Sequence, residues 1–281
     1  MQSPELRDYL GRARQVVRWV EDPEPPPLAA PPVGELHVGV DLGTAYLTVV
    51  VLDEDFQPVA GEYQFAQVAR DGLVVDFIGA VDRIREMKAR IEHRISRELT
   101  HAASGFPPGV AQVEVRATAN VVEAAGLECT GLIDEPSAAN ALVRLENGVI
   151  VDVGGGTTGI AVIKDGQVVY TADEATGGTH FSLVIAGAND IPFEEAEARK
   201  VDPQQQPILF PVVRPVLEKV ASIAARHIDG HTVPEVVLVG GTSAFYRAAE
   251  VVQEYTGLPT WVPDHPWLPT PIGMAMHNDY E

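Results

Sequence analysis

The sequence predicts an α/β protein of two similar lobes facing each other across a cleft, and three observations carry that expectation. Short β-branched apolar runs alternate with amphipathic helical stretches, as in mixed α/β layers. A strand–Asp–Gly pattern at Val40-Asp41-Leu42-Gly43-Thr44 returns at Val151-Asp152-Val153-Gly154-Gly155, each copy followed by an apolar strand, a turn and a third strand. The two aspartates lie 111 residues apart in a chain of 281, about half a domain.

Composition narrows the function. Hydrophobic content of 46% with 21% charged residues is ordinary for a globular chain. A formal net charge of −20 argues against nucleic acid, whose phosphates attract Lys and Arg, and against anionic membrane surfaces. The acidity serves solubility or favours a basic partner. One cysteine, Cys129, permits neither an internal disulfide nor a thiolate metal cluster. The polar N-terminus is no signal peptide, and no apolar run approaches the ~18 residues of a membrane span. A soluble cytoplasmic protein is expected.

Along the chain, Leu6, Tyr9, Leu10, Ala13, Val16, Val17 and Val20 recur at helical spacing, with Arg7, Arg12, Arg14 and Arg18 on the other face. Ser3 is placed to cap this helix, with Pro4 at its first position. Pro23, Pro25, Pro26, Pro27, Pro31 and Pro32 then make a semi-rigid linker. Helix plus tether, residues 1–33, reads either as a docking peptide or as a brace folded back on the body. The first lobe is assigned to 34–146, with 270–281 returning to it, and the second to 147–269. In the first, strands are expected at 36–40, 47–52, 57–65, 74–77, 101–106 and 127–133, and helices at 78–99, 118–125 and 138–145. In the second, strands are expected at 149–151 with Asp152 at its end, 160–163, 168–171 and 236–239. Its helices are expected at 181–186, 192–200, 207–227, 246–255 and 271–277.

The chemistry centres on the glycine loop that follows Asp152. Gly154, Gly156 and Gly159 fit the spacing of a dinucleotide fingerprint, which requires a strand before the glycines and a helix after them. Here Ile160-Ala161-Val162-Ile163 reads as a second strand, so the unit is a β-hairpin with a glycine tip. Such a tip presents backbone N–H groups, and the hydroxyls of Thr157 and Thr158, to a phosphate. Asp41 with Gly43 and Thr44 forms the matching hairpin in the first lobe, and together they make a phosphate clamp. Asp41 and Asp152 would hold Mg²⁺ largely through water. Glu135, at a strand-to-helix junction, would orient the attacking water or the metal's water shell. The Walker A pattern is absent, which excludes a P-loop enzyme.

The set VGVDLGT, DEPSAANAL, VIVDVGGGTTGIAVI, VVLVGGTSAF and TPIGMAM resembles the five nucleotide-site motifs of the actin-like ATPase superfamily, over the body from about Leu36 onward. The finer pattern resembles the ethanolamine utilisation protein EutJ family. It rests on the stretch 68–81 (VARDGLVVDFIGAV), HAASGFPPG, YTADEATGGTHFSL, EEAEARK and ARHIDG. The resemblance implies an actin-like ATPase fold, two ribonuclease H-like lobes with a nucleotide cleft between them, and ATP or ADP with Mg²⁺ as ligands. It implies metal-associated roles for Asp41 and Asp152 and a catalytic acid at Glu135. Gly43 and Thr44 fall in its first phosphate motif, and Gly154, Gly155, Gly156, Thr157 and Thr158 in its second. Gly177 and Gly178 match a glycine turn bordering the phosphates. Glu197 and Lys200 match ribose-contacting residues, and Gly240, Gly241 and Thr242 match the adenosine loop. Two departures stand out. Ala244 and Phe245 occupy the place of an adenine-stacking arginine, and only Arg70 and Arg83 lie near the place of a catalytic lysine.

By that resemblance the expected function is a slow ATPase acting as a chaperone or reactivation factor. Ethanolamine ammonia-lyase or microcompartment shell proteins would be the clients, and association with a bacterial microcompartment follows. A nucleotide-dependent scaffold with incidental hydrolysis, and a small-molecule kinase of the same superfamily, are the other readings. The N-terminal helix and tether resemble peptides that target cargo to microcompartment shells.

Overall fold

A computed structural model describes residues 1–70 and 73–277. Asp71 and Gly72 of the 68–81 stretch, and residues 278–281, lie outside the described residues.

The chain opens with helix α1 (Pro4–Val16), capped by Ser3, whose hydroxyl accepts from the Leu6 N–H at 3.1 Å. A short strand, β1 (Val17–Trp19), follows. Strands β2 (His37–Leu42), β3 (Tyr46–Leu52) and β4 (Pro58–Phe65) form an antiparallel meander. A two-stranded ribbon, β5 (Ala69–Arg70) with β6 (Leu73–Val74), leads to helix α2 (Phe77–Ile95). Then come β7 (His101–Phe106), α3 (Gln112–Ala124), β8 (Glu128–Asp134) and α4 (Glu135–Val143). The first sheet has the order β1-β4-β3-β2-β7-β8.

The second half repeats this plan. Strands β9 (Gly148–Val153), β10 (Thr158–Lys164) and β11 (Gln167–Glu174) form the meander. Helices α5 (Gly178–Asn189), α6 (Phe193–Val201) and α7 (Gln206–Ile228) follow. The chain continues through β12 (Val236–Val239), a 3₁₀ turn (Gly241–Ala244), α8 (Ala248–Thr256), β13 (Thr260–Trp261) and α9 (Pro269–Met276). The sheet order β11-β10-β9-β12-β13 matches β4-β3-β2-β7-β8 of the first half. In both, the parallel strand beside the meander pairs with its first strand: β7 with β2, and β12 with β9.

Each sheet has its own core. In the first, Val38, Val40, Val49 and Val51 pack against Ile84, Met87 and Ile91 of α2. In the second, Val149, Val151, Ile160 and Val162 pack against Phe181, Val213, Leu217 and Val220. The last helix of each half lies between the sheets. Helix α4 touches β9 and β10, while α9 touches β2, β3 and β7 and crosses α4.

Element boundaries differ from the sequence reading where local chemistry intervenes. Residues 74–77, read as a strand, split between β6 and the start of α2, because Asp76 caps that helix by accepting from the Gly79 N–H at 2.9 Å. Helix α2 stops at Ile95 and not at Leu99, where Ser96 turns left-handed at φ 53°. Helix α3 begins six residues before the expected 118, its first turn held by the Glu114 carboxylate accepting from the Ala111 N–H at 3.1 Å.

The N-terminal helix lies on the body. Leu6, Leu10, Ala13 and Val17 are buried with Val50, Leu52, Leu268 and Ile272. The Pro-rich stretch follows α2, with Arg97 donating to the carbonyls of Pro32 and Gly34 at 2.9 and 2.7 Å. Leu10 has no exposed surface. Leu10→Ala should therefore cost about 2–4 kcal/mol in urea unfolding. A helix that merely trails from the body would lose nothing, so an unchanged midpoint would count against the docked arrangement.

Candidate functional site

Between the two sheets lies a cavity of about 630 Å³. Its floor is built by the repeated hairpins. Asp41 stands near the end of β2, in register with Thr48, and Asp152 near the end of β9, in register with Gly159. Glu135 enters as the first residue of α4, fixed by Asp134, whose carboxylate caps the helix and accepts from the Ser137 N–H at 3.1 Å. Asp152 is buried and accepts from the Thr270 hydroxyl at 2.7 Å.

These three carboxylates repel one another in a poorly hydrated pocket. Burial, then the charge of Asp152, pushes Asp41 up to about 7. Burial pushes Asp152 up to about 6, with the Thr270 hydrogen bond opposing. Burial and then Asp41 and Asp152 raise Glu135 well above the carboxylate range. The floor is a place where a cation would be welcome. Among the described residues no three His, Cys, Asp or Glu side chains converge to hold a bare metal ion. The donor set therefore fits a hydrated cation that completes its shell with water and ligand oxygens.

The glycine loops meet above the floor. A Cβ on Gly155 would stand 2.8 Å from the Ala45 Cβ, and one on Gly156 would stand 2.6 Å from the Thr44 hydroxyl oxygen. Only glycine allows this close an approach of the two loops. Gly240 has φ +85°, and a side chain there would overlap the Asp152 carboxylate. The Thr242 hydroxyl donates to the Gly154 carbonyl at 2.8 Å, joining the loop after β12 to the hairpin tip.

Of the residues singled out from sequence, Asp41, Gly43, Thr44, Glu135, Asp152, Gly154, Gly155, Gly156, Thr157, Glu197, Lys200, Gly240, Gly241 and Thr242 line this one cavity. Three stand behind it. Thr158 is fully buried, and its hydroxyl donates to the Thr176 carbonyl at 2.6 Å and so turns away from the loop tip. Gly177 and Gly178 cap and begin α5 and form no free turn; the N–H groups of Gly178 and Thr179 donate to the carbonyls of Gly154 and Gly155 at 2.9 and 2.7 Å. They brace the hairpin tip from below.

Glu197 and Lys200 form a buried pair at 2.6 Å on α6, and Ser182 donates to the same carboxylate at 2.5 Å. Burial lowers the Lys200 ammonium while Glu197 opposes it. Across the cleft, the Tyr46 hydroxyl donates to the other Glu197 oxygen at 3.4 Å.

Sequence reasoning did not single out Trp19, Tyr46, Tyr63, Trp267 and Thr270, which also line the cavity. Tyr46 follows the Asp41–Thr44 loop by two residues and Thr270 opens the TPIGMAM stretch, so both were within reach of it. Trp19, Tyr63 and Trp267 come from separate places and carry no local signal.

The duplicated sheets, the crossing helices α4 and α9 and the paired aspartate hairpins define an actin-like fold. A family model described as MreB/Mbl protein matches residues 60–187. The structure of MreB 5 of Spiroplasma citri bound to AMPPNP aligns with a TM-score of 0.71 at 17% identity, covering 87% of this chain and 96% of that one. The ethanolamine utilization protein EutJ of Salmonella typhimurium is 45% identical over 242 residues, 85% of each chain. The crystal structure of EutJ from Carboxydothermus hydrogenoformans aligns with a TM-score of 0.85 at 44% identity, covering 97% of this chain and 98% of that one. The chain belongs to the ethanolamine utilization protein EutJ family.

Proposed function

We propose that the chain binds ATP or ADP with Mg²⁺ in this cleft and is a slow ATPase serving ethanolamine utilisation as a chaperone or reactivation factor. The observation that carries the reading is the meeting of Asp41, Glu135 and Asp152 with two glycine loops in one cavity. Backbone N–H groups of the loops would hold the phosphates, and Asp41 and Asp152 would hold the shell waters of Mg²⁺. Such an ion would supply positive charge against the carboxylate floor and the phosphates. Glu135 would orient the attacking water or the metal's water shell. Glu197 and Lys200 would face the ribose. The EutJ relatives are named for ethanolamine utilization. Ethanolamine ammonia-lyase or microcompartment shell proteins are the clients that this reading assigns, in the cytoplasm beside or within a microcompartment. Among the described residues no helix is long and apolar enough to cross a membrane.

A second reading, a nucleotide-dependent scaffold with incidental hydrolysis, has one observation in its favour. Among the described residues that line the cavity, the basic ones are Arg14 and Lys200, and Lys200 is committed to Glu197. Among the described lining residues that leaves Arg14 alone to stabilise charge developing on a transferred phosphoryl group. Titration calorimetry with ATP, ADP and GTP in Mg²⁺ tests the shared premise. Phosphate release by wild type against Asp152→Asn tests the ATPase: the variant should be at least tenfold slower, on the order of 1.4 kcal/mol in barrier. Equal rates sink hydrolysis. Sedimentation with and without ATP then decides the scaffold reading, which an unchanged profile removes.

A further inference from the structure

Helix α1 touches both lobes and is held to them unequally. Its buried residues Leu6, Leu10 and Ala13 lie in one cluster with Val50 and Leu52 of β3, Leu142 of α4 and Ile272 of α9. Trp261 of β13, half-buried, packs against the same cluster. The helix therefore runs over the seam where the first sheet, the α4–α9 crossing and the second sheet meet.

The first-lobe side is firmly fixed. The Tyr9 hydroxyl donates to the Phe56 carbonyl at 2.6 Å, and Arg12 donates to the Gln57 side chain at 3.1 Å. No loop separates α1 from β1, which pairs with β4 from Val17 opposite Gly61 to Trp19 opposite Tyr63. On that strand Arg18 meets Glu62 at 2.7 Å, with side chains only 11% and 3% exposed. Arg90 reaches the other Glu62 oxygen at 2.9 Å, and Arg94 donates to the Val16 carbonyl at 2.7 Å. Breaking a pair that deeply buried leaves a charge without a partner, so this side stays attached.

The polar contacts to the second lobe are of another kind. Asp264 stands in the loop after β13. Its N–H donates to the Gln2 side-chain carbonyl at 3.2 Å, and its carboxylate faces the Arg7 guanidinium at 3.4 Å. The Arg7 and Asp264 side chains are 64% and 51% exposed. Pairs so exposed contribute little and weaken further with salt. The Gln2 side-chain nitrogen is buried at the same place without a hydrogen-bond partner, so closing this contact leaves a polar group unsatisfied.

Two lobes joined through a pair of crossing helices can turn about that crossing. An element fixed to one lobe and lightly clasped to the other resists the turn and yields first. We propose that α1 is a latch between the lobes: anchored on the first, it clasps the second at Asp264, holds the cleft at its present opening and lets go when the lobes rotate. Arg14, Trp19 and Asp22 of the same anchored segment line the cavity, so the latch and the contents of the cleft act on one body. The latch does not depend on which ligand fills the cleft.

The test uses the full chain without ligand. Asp264→Lys sets like charges against each other, and Arg7→Glu with Asp264→Lys restores an opposite pair in reverse. In Asp264→Lys, hydrogen exchange of amides 7–13 should speed up about two- to fivefold, the range that loss of one exposed pair allows. It should return to the wild-type rate in the double variant and stay unchanged at 17–19, which β4 holds. In 1 M NaCl wild type should approach the single variant. Lobe motion is read from spin labels at Ala89→Cys on α2 and Ser222→Cys on α7, both exposed positions, in a Cys129→Ser background. Their distance distribution should broaden in Asp264→Lys and narrow again in the double variant. Unchanged exchange in Asp264→Lys overturns the latch, since the pair then holds nothing. Faster exchange with an unchanged distance distribution overturns it too, because α1 would then secure only its own tip. A broadening that the double variant fails to reverse is equally fatal, since it would not come from the Arg7–Asp264 pair.

Discussion

In metal-free buffer at pH 8, Asp41→Asn should be more stable than wild type and at the same time deaf to Mg-nucleotide. Both effects come from one cause. Asp41 has its pKa raised from about 4 in the unfolded chain to about 7 in the cleft, by burial and by Asp152. An acid that is harder to ionise when folded binds more protons in the folded state. Its contribution is favourable below the unfolded pKa and is lost as pH rises through the folded one. Above pH 7 the full penalty applies, on the order of 2–4 kcal/mol. Asparagine removes the charge and relieves Asp152 as well. The variant should melt about 5–10 °C higher at pH 8. The gap should shrink to about a third at pH 5, where the wild-type carboxyl is protonated in the fold. Adding Mg-ATP at 100-fold its dissociation constant should raise wild type by about 2.7 kcal/mol and leave the variant where it was. A variant less stable than wild type at pH 8, or a gap that ignores pH, would show that the floor is not electrostatically strained. The same strain explains how a site can favour a divalent cation without a closed ring of ligands. Charging buried carboxylates is costly, and any cation that neutralises them recovers the cost.

How far the sequence spoke depended on whether a signal was local. The repeated hairpins at Asp41 and Asp152 were legible because strand, aspartate and glycine tip lie within a dozen residues of each other. From them followed two similar lobes, each opening with a hairpin whose tip carries Asp and Gly. Strand β1 was not legible, because Val17 and Val20 continue the helical spacing of α1 and only the pairing with β4, more than forty residues on, turns Val17–Trp19 into a strand. With β1 hidden, the place of Trp19 on the cavity was hidden as well. Thr158 shows what motif position does not carry: a strand alternates its faces, and Thr158 begins β10 with its hydroxyl turned to Thr176.

The largest stability loss should come from a single methyl group set between two crossing helices. Helix α9 is held by backbone contact. A Cβ added at Gly273 would overlap the Ala138 carbonyl of α4, and one at Gly39 would overlap the Pro271 carbonyl. At Gly131 a Cβ would stand 2.6 Å from the His277 carbonyl. These are main-chain neighbours, which cannot rotate aside as a flexible side chain can. Gly273→Ala must therefore spread the α4–α9 crossing, at about 3 kcal/mol or more. The damage would not stay local, because α9 carries Thr270 to Asp152 and α4 carries Glu135 to the same floor. Whatever affinity the cleft has for Mg-nucleotide should fall with stability. Gly11→Ala is the matched control: it sits in α1 with nothing within 4 Å of the new Cβ, and should stabilise by about 0.5–1 kcal/mol. Urea midpoints for the two variants measure the contrast. If Gly273→Ala unfolds within about 1 kcal/mol of wild type, the crossing is looser than drawn. The two sheets would then owe their alignment to the loops at the cleft and not to the helices behind it.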